Sequence, residues 1–168
     1  MRGKLDQSDD SRKRLILPPD VTVDHVLGLV ELLNSLGNKT DSMYIGDAIN
    51  ENIGILPHAI DVAEVLGLVE SRGGDLTLTE LGRRVVKGNP KAVKNLLKKE
   101  VRKLEPIAEL MSRLKESGKI TVEEFDELIM KHYPGNFEMA KHNVLQWGAF
   151  LNLFKMSEDD TEIVLLYK

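Results

Sequence analysis

The feature that most constrains the fold is an order of elements that occurs twice. "AIDVAEVLGLVESRGGDLTLT", residues 59–79, and "HNVLQWGAFLNLFKMSEDDTEIVLL", residues 142–166, each run helix, glycine, apolar strand, polar turn, second strand. In the first copy Leu76-Thr77-Leu78-Thr79 alternates with the period of a half-buried strand. Gly73-Gly74 supplies the positive backbone angles that a tight hairpin turn requires. The second copy turns through Ser157-Glu158-Asp159-Asp160. A chain that returns twice to this order is expected to be mainly α with small β-hairpins, an α+β fold of two tandem winged-helix-like modules.

Helical periodicity fills the space around the hairpins. Pro18 and Pro19 close a charged N-terminal tail, and Thr22 can cap a helix over 23–36 with Val26, Leu29, Val30, Leu33 and Leu36 on one face. A short helix is expected over 43–50. A third should start with Pro57 in its first position and run to Leu66, with Ile60, Ala63, Val65 and Leu66 buried. Thr79 caps a fourth, through Val86. Beyond Gly88-Asn89-Pro90, the residues Val93, Leu97, Val101, Leu104, Ala108, Met111 and Leu114 recur at helical spacing. Pro106 must break that stretch into two helices or kink one. Thr121 with Glu124 is a capping box, and Asn136 opens a last helix to about Phe150. The expected division is a disordered charged tail over 1–16, a first module over 17–88, and a helical linker with the second module over 89–168.

Composition excludes several classes. Of 168 residues, 42% are hydrophobic and 30% charged, which is a soluble globular balance. No apolar run reaches the ~18 residues that cross a bilayer. The charged N-terminus has no apolar stretch behind it, so it is not a signal peptide. Without cysteine there is no disulfide and no thiolate chemistry, which fits a cytoplasmic location.

No catalytic constellation is present, and the chain is expected to be no enzyme and to need no cofactor. Gly37-Asn38-Lys39-Thr40 resembles the end of a phosphate-binding loop, but it follows a helix and has Asn38 where the second glycine belongs. A helix cap and turn is the better reading. His25, His58, His132 and His142 lie on separate elements without ligand spacing, so no metal site is assigned.

A winged-helix order raises the question of DNA. The net charge of −4 has the wrong sign for a dedicated nucleic-acid binder. His58, Asp61 and Glu64 on the first module's third helix, and four acids in the second turn, would meet phosphate with the wrong charge. Lys141, His142, Asn143 and Gln146 on the second module's third helix could read base edges, and they carry the alternative reading of a winged-helix transcription regulator. One basic region stands out. Arg83, Arg84, Lys87, Lys91, Lys94, Lys98, Lys99, Arg102 and Lys103 fall within 21 positions, opposed by Glu100. Such a run reads as a solvated helix face, as a docking surface for an acidic protein patch or anionic lipid, or as a nonspecific phosphate contact. Arg83, Arg84, Lys87, Lys91, Lys94, Lys98 and Arg102 are the candidate partner-binding residues. Self-association through the long apolar stripe is a further expectation.

"ILPPDVTVDHVLGLVELL", "LTLTELGRRV" and "NVLQWGAFLNLF" together resemble the AAA-associated C-terminal domain, over about Leu17 to Lys168. Thr79, Leu81, Gly82, Arg83 and Arg84 match a Leu-Thr-Pro-Leu-Gly-Arg-Arg stretch of that family, with Glu80 in place of the proline. Trp147-Gly148 and Leu153-Phe154 match its Trp-Gly and Leu-Phe pairs. The resemblance implies a non-catalytic accessory or regulatory module beside the ATP-binding subunit of ABC transporters of the nitrate, sulfonate and taurine type. The ATPase of the fused pattern is missing from this sequence, so either a free-standing version or a piece of a longer protein is expected, the initiating methionine favouring the former.

Overall fold

The computed structural model describes residues 14–41 and 54–166. The tail over 1–13 and the helix expected at 43–50 lie outside the described residues. Helix α1 (Val23–Ser35) starts where the Thr22 hydroxyl accepts from the His25 amide while His25 Nδ1 accepts from the Thr22 amide, both at 3.1 Å. Two otherwise orphaned donors are thereby satisfied. Gly37 and Asn38, with φ of 96° and 73°, turn the chain into β2 (Lys39–Asp41). The segment that resembles a phosphate loop is therefore a helix exit and a strand. Helix α2 (Leu56–Val65) has Pro57 in its first turn, one position later than expected, and buries Leu56, Ala59, Val62 and Ala63. Ala63 and Leu66 are buried as expected, while Ile60 and Val65 are half-buried and pack against the core from its edge.

Hairpin β3 (Val69–Arg72) and β4 (Asp75–Leu78) turns on Gly73 and Gly74, whose φ values are 58° and 91°. Next come α3 (Glu80–Lys87), α4 (Pro90–Glu100), a 3-10 turn (Val101–Lys103) and β5 (Leu104–Glu105). Pro106 then caps α5 (Ile107–Ser117), so the apolar stripe breaks into two helices at the expected place. The second half continues as β6 (Lys119–Thr121), α6 (Val122–His132), α7 (Phe137–Phe150), β7 (Phe154–Met156) and β8 (Glu162–Leu165). Thr121 and Glu124 make the expected capping box on α6.

The fold is α+β with small antiparallel sheets. Each hairpin is wider than expected by one strand. In order across the sheets, β2-β4-β3 and β6-β8-β7 are equivalent: the strand preceding the helices pairs with the second hairpin strand, which becomes central. Thr40 lies opposite Leu76 in one sheet, and Ile120 opposite Ile163 in the other.

The N-terminal segment belongs to the core rather than to a tail. Leu15 and Ile16, placed by expectation in a disordered tail over 1–16, form β1, parallel to β5. Leu17 and Val21 are fully buried. Their carbonyls are held by the second half of the chain. Tyr133 donates its hydroxyl to Leu17 at 2.6 Å, while Asn143 Nδ2 and Trp147 Nε1 both donate to Val21, at 2.8 and 3.1 Å. One continuous hydrophobic cluster includes residues from both halves. Val93, Leu97, Val101, Leu104, Met111 and Leu114 are all buried within it. The stripe that suggested self-association is covered by the chain itself. Among the described residues, no helix is long and apolar enough to cross a membrane.

Candidate functional site

The run of cations is carried by α3, α4 and the 3-10 turn, and the local fold sorts it. Thr79 caps α3 by accepting from the Gly82 amide at 3.0 Å, and its hydroxyl donates to the Gly67 carbonyl at 2.6 Å. Gly82 sits against the Leu68 carbonyl and the Leu78 side chain, leaving no space for a Cβ. Arg83 is half-buried and donates through Nη1 to the Leu78 carbonyl at 3.0 Å, which ties the helix to the hairpin. Lys103 pairs with Glu100 at 2.9 Å. Lys98 and Arg102 are half-buried. Arg84, Lys87 and Lys91 are exposed.

Lys94 connects this surface to α7. Its ammonium stands 5.5 Å from the centroid of the Phe150 ring, a cation–π arrangement. That half-buried ring forms one wall of a hollow of about 230 Å³, with Leu27 and Val30 from α1, Val85 and Val86 from α3, and Val93 from α4. The lining is mostly apolar, with Glu31 on its α1 side. Phe150 also borders a second hollow beside Thr22, Asp24 and Gln146. Sequence periodicity marked the cations but not the apolar floor between them, since Phe150 is remote in sequence.

The residues of the nucleic-acid reading are not available as a set. Asn143 is buried and committed to the Val21 carbonyl. Lys141 pairs with Asp126 at 2.9 Å and lies 5.7 Å from the Phe137 ring centroid. His142 and Gln146 remain exposed. At the second hairpin tip, Asp159 accepts from the Ser157 and Thr161 hydroxyls at 2.7 and 2.8 Å. These bonds hold its carboxyl below the usual range and fix a negative charge on the tip.

A node not visible in the sequence joins β5, α5 and α6. Ligand atoms of Glu105, Glu109 and His132 lie within 4.8 Å of one another, a spacing that could hold a metal ion. The donors around them argue for another role. Glu105 accepts from the Glu109 amide and from Arg14, and Glu109 from Lys131 and Arg113, so each carboxylate oxygen is already engaged. Burial alone would raise the Glu109 carboxyl, but Lys131 and Arg113 hold it below the ordinary value. Three cations already outweigh two carboxylates, and a divalent ion would add to the excess. The node reads as an ion-pair joint. Beside it, burial and then the charge of Glu105 push the Tyr133 hydroxyl well above its usual range, which keeps it a donor to Leu17.

The motifs behind the family resemblance are close contacts in the structure. Phe154 occupies the space that a Cβ on Gly148 would need, and Trp147 anchors Val21. No curated protein and no solved structure matches the chain. The family model described as the C-terminal AAA-associated domain matches residues 43–157, a narrower span than the resemblance over 17–168. That span covers more than half of the 168 residues, and the chain belongs to the C-terminal AAA-associated domain family.

Proposed function

We propose that this protein is a non-catalytic accessory module that docks on an ABC-type ATPase and regulates or assembles with it. The observation that carries the reading is family membership over residues 43–157. The chemistry of the surface supports it. Arg84, Lys87 and Lys91 are exposed on two consecutive helices, and Lys94 stands over an aromatic wall. Both halves are taken as winged-helix-like scaffolds whose hairpins serve packing and docking, not phosphate contact. The working location is the cytoplasm, beside the ATP-binding subunit. Tagged protein expressed at native level and captured from extract of its own source cells tests this directly. Recovery of an ABC-type ATP-binding subunit is expected, and repeated capture without any transporter component would overturn the reading.

A further inference from the structure

Building on the docking reading, we infer that the hollow between α1, α3, α4 and α7 seats an acidic peptide segment of the partner through one large apolar anchor residue. The floor is hydrophobic. Val85, Val86, Val93 and Phe150 are presented by three different helices, so the cavity is preformed by the fold. At about 230 Å³ it falls below the roughly 300–1,000 Å³ of small-molecule sites, and it suits an apolar side chain entering from a partner. Interface energy concentrates in such anchors when neighbouring contacts exclude water.

Charge selects the segment around the anchor. Lys87 and Lys91 are exposed on the same helices that supply Val86 and Val93, and the Lys94 ammonium lies over the Phe150 wall itself. An acid flanking the anchor would meet these ammonium groups at the edge of an apolar surface, where charge pairs are screened less than in open water. Glu31 borders the α1 side, so the partner's acids face α3 and α4 and the bound direction is fixed. A basic segment would meet repulsion from the Lys94 ammonium over the Phe150 wall.

The test selects a random 12-residue peptide display library on the immobilised full chain, then measures a selected peptide by fluorescence anisotropy. Enriched peptides should combine Asp or Glu with a Leu, Phe, Met or Trp. Their affinity should fall at least tenfold in the triple variant Lys87→Glu, Lys91→Glu, Lys94→Glu, and also in Val86→Asp, with circular dichroism verifying that each variant folds. Lys155→Glu on the exposed face of β7 should leave affinity unchanged. A library that yields no peptide, peptides without acidic bias, or binding indifferent to both variants would overturn the inference. So would variants that lose the peptide yet capture the ATPase as wild type does, an outcome that leaves the docking reading intact. Peptide binding with the predicted sensitivities but no ATPase in any capture would support the groove and defeat the docking reading instead.

Discussion

Trp147 and Val21 are joined by a hydrogen bond from indole to backbone carbonyl, 3.1 Å long and spanning 126 residues of sequence. Asn143, one helical turn earlier, donates to the same oxygen at 2.8 Å. The shared acceptor fastens the N-terminal segment, and with it the start of α1, onto α7. Both helices also contribute walls to the candidate groove, α1 through Leu27 and Val30 and α7 through Phe150.

Two donors on one buried carbonyl should be coupled. Trp147→Phe is expected to cost about 2–4 kcal/mol through lost volume and a lost donor. Asn143→Ala should cost about 1–3 kcal/mol. Either variant leaves Val21 one partner, but the pair leaves none, so the double variant should exceed the sum by at least about 0.5 kcal/mol. Urea denaturation of the four proteins checks this, and strict additivity would contradict it.

Gly148 is required by Phe154. Because the ring fills the position of a Cβ, Gly148→Ala must displace a fully buried aromatic side chain, at a cost of about 1–3 kcal/mol. Adding Phe154→Leu should return part of that loss, since a smaller side chain reopens the space. A neutral Gly148→Ala in thermal or urea unfolding would refute the packing account.

How much of this was readable beforehand depended on the length of the signal. The stripe from Val93 to Leu114 extends over several turns, and its break at Pro106 is forced by covalent geometry, so both survive in the structure. Thr121 and Glu124 form a local cap that needs no tertiary help. Strands β2 and β6 have three residues each, too few for an alternation to register. They form because β4 and β8 would otherwise leave backbone groups unpaired along one side. Lys39-Thr40 thus resembled part of a phosphate loop. At the candidate site the cations were legible as a run, while Arg83 looked no different from Arg84 until Leu78 claimed its guanidinium. Asn143 had the side chain of a base reader and the position of a core residue. Nothing short of the Val21 contact distinguishes the two.

Tyr133 gives the chain an alkaline limit. The unfolded state releases the phenolic proton near pH 10, whereas burial and Glu105 make the folded state retain it to higher pH. The unfolded state therefore gains by ionising, and stability should fall as pH rises above about 10, being fully present below that. Tyr133→Phe should lose about 1 kcal/mol at neutral pH with the Leu17 hydrogen bond, and show less alkaline decline. Denaturation midpoints between neutral pH and pH 11 measure both, and parallel curves for the two proteins would rule the linkage out.

Duplex DNA should not bind. With Asn143 buried, Lys141 paired to Asp126, and Asp159 fixed at the second hairpin tip, the described residues of the second module do not present Lys141, His142, Asn143 and Gln146 as one base-reading set. Fluorescence anisotropy with a mixed-sequence duplex at low salt should show no association. Binding that weakens steeply with added salt would restore the regulator reading.

The central claim, that the α3–α4 surface docks an ABC-type ATPase, is tested most directly by amine-reactive crosslinking and mass spectrometry in native extract. The account predicts crosslinks from Lys87, Lys91 and Lys94 to an ATP-binding subunit, concentrated near acidic residues of that subunit. Crosslinks confined to Lys119 and Lys155 on the second sheet, or reaching only proteins unrelated to a transporter, would contradict it.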